Sequence, residues 1–265
     1  MDATQQSLLF PAERQKGIYQ HLQKQNAAKV NELAQLFNVS EMTIRRDLEE
    51  LERKDMITRT HGGAILSEGT MRDLNVEERQ TKQLEEKQMI AQKAKELIKE
   101  GDILALDAST SAAELAKLLH DIPNLTVVTN SLLVANAVQH FSNVTLIMCG
   151  GIMRQEASSF VGPLAEAFLL NFHFTKTFFS SNAVHPVNGI TDTNMFEISM
   201  KRLMISRSKE AYALMDSTKY NKVAFSPVCP FDQISGIITD SHLNEEIRQN
   251  YQDQDIAILI ANEMI

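Results

Sequence analysis

Two hydrophobic periods divide this chain of 265 residues. In the first quarter, apolar residues recur at helical spacing: Ile44, Leu48 and Leu51 stand at i, i+4 and i+7 and share one buried stripe. A shorter helical pattern ends at Asn38 and the next begins at Ser40, so only a sharp corner fits between them. Ser40 suits the N-cap, where its hydroxyl accepts a backbone N–H of the first turn. Residues 56–60 then read as a strand, His61-Gly62-Gly63 as a turn whose glycines permit positive φ, and residues 64–66 as the return strand. Helix, corner, helix and hairpin in that order predict a winged helix-turn-helix.

The second period starts further on. Residues 67–85 are polar and read as a linker. A helix is expected over 87–99, with Ile90, Ala94, Leu97 and Ile98 on one side and Gly101 as its stop. A unit then repeats: a short apolar run, a cluster of small polar residues, a helix. The runs are 103–106, 125–128, 144–148, 177–179, 211–215 and 234–238. Such alternation predicts a mostly parallel sheet covered on both faces.

The chemistry of the first unit lies on its second helix. At about 100° per residue, Met42, Arg46 and Arg53 fall opposite the buried stripe. The start of this helix presents Ser40, Glu41, Met42, Thr43, Arg45 and Arg46, and proteins use this unit to place a helix in the DNA major groove. Arg59 and His61 sit where a wing reaches the backbone or the minor groove, and a plain turn residue is the competing reading for His61. The competing reading for the arginines is surface pairing, Arg45 with Glu49 and Arg46 with Glu50, worth about 0.2–0.5 kcal/mol each in the weaker Arg-before-Glu order.

Charge changes this picture. Residues 1–66 hold nine basic and nine acidic side chains; residues 67–265 hold 17 and 25, which accounts for the whole net charge of −8. The first unit is therefore neutral, and its positive charge is local: Arg45, Arg46, Arg53, Lys54 and Arg59. Any affinity for nucleic acid then depends on a few placed contacts. Apolar and charged fractions of 43% and 23% are those of a globular chain. No apolar run approaches a membrane span, and the first residues do not read as a signal peptide. Two cysteines, Cys149 and Cys229, are too few for a zinc site or a disulfide framework, and the seven histidines lack ligand spacing. No metal site and no cofactor is expected, and a cytoplasmic location is.

In a parallel α/β sheet the loops after the strands share one edge, and ligands bind there. Those loops carry Asp107, Ser109, Thr110 and Ser111; Thr129, Asn130 and Ser131; Gly150 and Gly151; and Lys219. Helix-start N–H groups there suit an anion, with Lys219 and Arg154 as balancing cations. Each cluster taken singly also reads as a helix cap, as in the capping-box pattern Ser111-x-x-Glu114.

The run Arg14-x3-Ile18-x3-Leu22, then Ser40-x2-Thr43-Ile44-Arg45-Arg46-Asp47-Leu48 and the His-Gly-Gly-Ala wing, resembles the DeoR family of bacterial transcription regulators. The resemblance extends to Asp107 through Ser111, Thr129-Asn130-Ser131, Gly150-Gly151 with Arg154, Glu197 with Lys201, and Asp216-Ser217-Thr218-Lys219. It implies a DNA-binding domain over 11–66 with its helix-turn-helix at 28–47. It also implies an effector domain over 86–260, similar to the ribose-5-phosphate isomerase and glucosamine-phosphate deaminase folds, that binds a phosphorylated sugar. Ser180 and Ala183 stand where the family usually has glycines, so a narrower pocket is expected.

The function expected from these readings is regulation of a sugar or polyol operon, as a repressor on double-stranded operator DNA, by a homo-oligomer (dimer or tetramer) responding to a phosphosugar. The helix over 87–99 is one candidate interface. The alternative is a sugar-phosphate isomerase-like enzyme with an appended DNA-binding domain. Catalysis is not expected, because the acidic loop of those isomerases is missing.

Overall fold

The computed structural model describes residues 11–25, 27–53, 57–60, 62–66 and 75–261. The chain divides into two compact units, 1–72 and 73–265.

The first unit runs α1 (Pro11–Gln25), β1 (Ala27–Lys29), α2 (Val30–Leu36), α3 (Glu41–Arg53), β2 (Ile57–Thr60) and β3 (Gly63–Leu66). Its core is Ile18 and Leu22 of α1, Leu33 of α2, the expected stripe Ile44, Leu48 and Leu51 of α3, and Ile57, each at most 2% exposed. Asn38 takes the corner at φ 51°, a conformation asparagine tolerates better than most residues. Ser40 caps α3 as expected, accepting the N–H of Thr43 at 3.2 Å.

Two features of this unit depart from the sequence reading. The wing is three-stranded, in the order β1-β3-β2, because the weak strand former Ala27-Ala28-Lys29 pairs with β3. And Gly63 is required by close approach, not by positive φ: a Cβ there would fall 2.1 Å from the carbonyl oxygen of Ala28.

A buried ion pair joins α1 to α3. Arg14 Nε donates to Asp47 Oδ2 at 2.5 Å, and Gln15 Nε2 reaches Oδ1 at 3.2 Å. This accounts for Arg14 and Asp47 in the family-like motif: neither faces outward.

The second unit begins with α4 (Val76–Thr81) and α5 (Leu84–Lys95), followed by β4 (Ile103–Leu106), α6 (Thr110–Ala116), β5 (Leu125–Thr129), α7 (Leu132–Val138) and β6 (Val144–Met148). A hairpin, β7 (Ile152–Arg154) and β8 (Ser159–Val161), leads to α8 (Pro163–Leu169), β9 (Phe174–Phe179), β10 (Ala183–His185), β11 (Gly189–Asp192) and α9 (Met195–Ser206). The chain continues through β12 (Ser208–Leu214), β13 (Ser226–Cys229), β14 (Gly236–Thr239), α10 (Glu245–Gln252) and β15 (Ile258–Ile260).

All six expected apolar runs form strands of one seven-stranded parallel sheet, ordered β15-β14-β12-β9-β4-β5-β6. Alternate residues feed opposite faces, as the pleat demands. Leu104, Leu106, Val127, Phe178, Leu214 and Ile238 pack with α5, α6 and α7. Ala105 and Val128 pack with α8 and α9 on the other face, where Phe179, Ala213, Met215 and Ile237 join α9 and Tyr251 of α10. The smaller antiparallel strands β7, β8, β10, β11 and β13 gave no period long enough to read in sequence.

Strand order reverses between β4 and β9. From β4 the chain steps outward through β5 and β6; from β9 it steps the other way through β12, β14 and β15. Loops leaving β4 and β9 therefore diverge, which opens a crevice at that edge.

Three further expectations are corrected. The span 67–85 is not all linker, since Asn75 caps α4 and Val76 is buried. The following helix covers Leu84–Lys95 rather than 87–99. Its Met89, Ile90, Ala91 and Ala94 are buried inside the unit, so only the opposite face of this helix is left as the candidate interface.

Removing one member of a buried pair strands the other charge. Asp47→Ala is therefore expected to destabilise the first unit by about 3–5 kcal/mol, whereas replacing Arg14 and Asp47 together by Met and Leu should cost far less. Urea unfolding of the full chain reads the difference, and equal losses in both variants would contradict the buried-pair description.

Candidate functional site

The face of α3 opposite its stripe is open. Met42 is 63% exposed, and Arg45 and Arg46 are exposed beside it. Among the described residues the Arg46 side chain makes no hydrogen bond or ion pair, and Arg45 lies 3.6 Å from Glu41. The alternative pairing with Glu49 and Glu50 does not form, because both acids are taken elsewhere. Glu49 binds Arg59 Nη1 at 3.0 Å and Glu50 binds Arg53. Glu52 accepts the Arg59 N–H at 2.9 Å. Arg59 thus ties the wing to α3 through Glu49 and Glu52. His61 lies outside the described residues. What remains at the helix start is a short polar edge, Ser40 to Thr43, with an exposed methionine and an uncommitted guanidinium. That set can meet a thymine methyl and a guanine edge.

In the second unit the expected residues converge. Asp107, at the end of β4, is 1% exposed. Its Oδ1 accepts the Ser109 N–H at 3.1 Å and the Ser109 hydroxyl at 2.5 Å; its Oδ2 accepts the Ser180 N–H at 3.2 Å and lies 3.8 Å from Lys201 Nζ. Lys201, on the buried face of α9, also donates to Asp192 at the end of β11. One turn away, Glu197 accepts Arg154 Nη1 at 2.7 Å and the Ser159 hydroxyl at 2.5 Å. Ser159 bridges to Ser131, and Asn130 Nδ2 donates to the Phe160 carbonyl at 3.0 Å. Lys219 donates to Ser180 Oγ at 2.8 Å and lies 3.5 Å from Asp216.

Electrostatics follow from burial. Burial pushes the Asp107 carboxyl up, and Lys201 only partly offsets that. Burial acts to raise Asp192 as well, but the Lys201 ammonium outweighs it and holds Asp192 below its ordinary value. Lys201 is itself held above its ordinary value, because Asp192, Asp107 and Glu197 outweigh its loss of water. Asp216 is held low by Lys219 and Thr218 against the opposing effect of burial.

Several clusters also prove to be caps. Ser109 caps α6 by accepting the Ala112 N–H, and Ser131 caps α7 by accepting the Val134 N–H. The expected box at Ser111 is absent: Glu114 binds Lys117 instead, and Thr110 and Ser111 are buried in the first turn of α6. Thr129 Oγ1 donates to the Leu106 carbonyl and ties β5 to β4. Gly151 admits the β7–β8 hairpin, since a Cβ there would meet the Val161 oxygen at 2.6 Å; Gly150 has open space around it. Ser180 occupies volume as expected, and its hydroxyl also holds Lys219 and donates to the Leu214 carbonyl.

Sequence reasoning left Lys201 as a motif residue, read Ser180 only as added volume, and missed Asp192. The i+4 spacing of Lys201 from Glu197 was the available signal. It also missed Lys87, which is buried and whose Nζ donates to the carbonyls of Arg79 and Lys82. Both cysteines are buried, and burial pushes Cys149 to about 11 and Cys229 to about 12, too high for a thiolate at neutral pH. Among the described residues no group of His, Cys, Asp and Glu is placed to hold a metal ion.

An exposed reading helix with a wing, and an α/β unit with a charged loop edge, define a DNA-binding transcription regulator carrying a sensor domain. Residues 14–70 match the DeoR-like helix-turn-helix domain, and residues 82–241 match the DeoR C terminal sensor domain. The chain belongs to the DeoR family of transcriptional regulators, and it is a regulator, not an enzyme. It is 37% identical to YulB of Bacillus subtilis, described as an uncharacterized HTH-type transcriptional regulator, over 94% of this chain and 96% of that one. It is 34% identical to the HTH-type transcriptional regulator GolR of Listeria innocua, over 96% and 100%. With a lactose phosphotransferase system repressor of Staphylococcus aureus it shares 36% identity over 89% and 94%. Among solved structures, ribose 5-phosphate isomerase A of Methanocaldococcus jannaschii matches 51% of the chain and 53% of its own at 13% identity and a TM-score of 0.38.

Burial, aided by Lys219, lowers Lys87 from 10.5 to about 8. The unfolded chain keeps that proton up to its ordinary value, so the folded state carries a penalty in full below pH 8 that is relieved as pH rises toward 10. Stability of the second unit is therefore expected to rise between pH 8 and about 10, and Lys87→Met should flatten that slope. Chemical unfolding at stepped pH checks it; parallel slopes in both proteins would contradict the assignment.

Proposed function

We propose that the protein is a cytoplasmic, homo-oligomeric repressor of a sugar or polyol operon, and that a phosphorylated sugar bound at the loop edge of the sheet changes its grip on operator DNA. The observation that carries this reading is the junction at the strand reversal. Lys219 stands there on Ser180 and Asp216, partly open to solvent, beside the buried carboxylate of Asp107. A cation and a carboxylate at one crevice suit a ligand with an anionic end and a hydroxylated end. Asp107 would repel a dianion, so the phosphate belongs at Lys219 and the sugar toward Asp107 and Asn130. Among the described residues the buried Asn130 Oδ1 has no hydrogen-bond partner, and it can accept a hydroxyl. The names of relatives point to sugar operons: besides the lactose system repressor they include an aga operon repressor of Escherichia coli and, with the opposite sign of regulation, an L-fucose operon activator of Haemophilus influenzae. Among the described residues no helix is long and apolar enough to cross a membrane.

Arg46→Ala should weaken operator binding by about 1–3 kcal/mol if the side chain reads a guanine. Fluorescence anisotropy measures this, and unchanged binding by the Arg45, Arg46 double alanine variant would overturn the placement of α3 on DNA. A single winged helix reads only a few base pairs, so two half-sites call for at least a dimer. Sedimentation of a monomer on operator would refute that.

Lys219→Ala should leave operator binding intact while abolishing the response to a phosphosugar. The unphosphorylated sugar should bind far more weakly to wild type, because the cationic site stays unpaired. Calorimetry on both ligands and both proteins decides; equal affinity in all four combinations would mean that no phosphate is bound at Lys219.

A further inference from the structure

Arg79 lies outside the network described above. It stands on α4, in the segment whose composition reads as linker. Its guanidinium Nε and Nη2 are buried, and among the described residues neither has a hydrogen-bond partner. A guanidinium has only donors to offer, and burying them unmatched is costly. The helix that carries it is well anchored. Asn75 caps α4, Val76 is buried, and α4 packs against α6. Lys87 of α5 ties it down further through the carbonyls of Arg79 and Lys82.

The first turns of α5 stand at the loop edge. Glu86 lies 3.5 Å from His242, which follows β14, and α5 packs on β12 and β14. In the same loop Asp240 accepts the Ser217 N–H at 2.7 Å, next to the Asp216 that holds Lys219. The charges that act on Lys87 are those of Lys219, Asp216, Arg79 and Glu114. Glu114 is bound to Lys117 at 2.6 Å. Arg79, Lys87 and Lys219 thus meet around Asp216, with Asp240 in the neighbouring loop. The cluster gathers three cations and, among the described residues, a planar fork of donors without a hydrogen-bond partner. A phosphomonoester dianion supplies both the charge and the paired oxygens that such a fork matches.

We propose that Arg79 is a ligand of the anion site, its Nε and Nη2 donating to two oxygens of the effector's phosphate alongside Lys219. This rests on the phosphosugar reading of the loop edge and extends it. Lys87 is a positioning residue that holds α4 by its carbonyls. Occupancy then acts directly on the helix by which the chain enters the effector unit after the DNA-binding unit.

The test uses the full chain with inorganic phosphate as probe, in wild type, Lys219→Ala and Arg79→Gln. Calorimetry gives affinity, and hydrogen–deuterium exchange follows the peptide over 75–83. Arg79→Gln should weaken phosphate binding roughly ten- to a hundredfold, the range for a hydrogen bond to a charged group. Phosphate should slow exchange over 75–83 in wild type and not in Arg79→Gln. If Lys219→Ala loses phosphate while Arg79→Gln binds it like wild type, the Arg79 assignment is overturned and the phosphosugar reading stands. If wild type binds no phosphate, both fall. Should Arg79→Gln fail to fold, the wild-type exchange decides: no slowing over 75–83 overturns the assignment.

Discussion

Lys201 carries a positive charge into the interior of the effector unit, and a charge placed there must be met by anions or lost. Its ammonium is met by Asp192 from the end of β11, by Asp107 from the end of β4, and by the field of Glu197 one turn back on α9. Three separate stretches of chain are thereby committed to one point. The commitments pass outward. Asp107 fixes the turn into α6 through Ser109 and the start of the β9 loop through Ser180, and Ser180 fixes Lys219. Glu197 fixes the β7–β8 hairpin through Arg154 and Ser159. The loop edge is preorganised because its charges have nowhere else to go.

Preorganisation also explains why so many of its polar groups serve two purposes. Ser109 caps a helix and donates to Asp107; Ser180 accepts from Lys219 and donates to a strand carbonyl. A residue of this kind cannot be divided into structural and ligand-facing shares. A site built from them changes as a unit, because moving one hydroxyl leaves another buried group unsatisfied.

Much of this was legible in the chain itself. The stripe Ile44, Leu48, Leu51 and the cap at Ser40 define α3, since helix period and capping are local properties. The six apolar runs define the parallel sheet, because strands buried on both faces must be apolar throughout. Asp107, Arg154, Glu197 and Lys219 were legible as a group because they follow strands or match family motifs, and the fold joins them in one charge network. What stayed hidden depends on pairing across distance. Ala27-Ala28-Lys29 becomes a strand only because β3 offers it an edge. Asp192 and Lys201 are ordinary charged residues until the fold buries them together. Arg79 sits in a polar stretch whose composition says linker, and only the packing of α4 on α6 says otherwise. The pairing of Arg59 with Glu49 and Glu52 stayed hidden too, because sequence gives its position and not its direction.

The grip of Glu49 and Glu52 on Arg59, with that of Glu50 on Arg53, bears on how the protein should respond to ionic strength. Counterions are released from DNA only to the extent that a protein brings charge not already neutralised. An arginine that arrives with its own carboxylate exchanges one anion for another and releases little. Among the described basic residues on this face the Arg46 side chain comes unpaired, and Arg45 is only loosely held. Binding should therefore vary with salt more gently than a count of arginines implies, leaving recognition to shape and base edges, which salt does not screen.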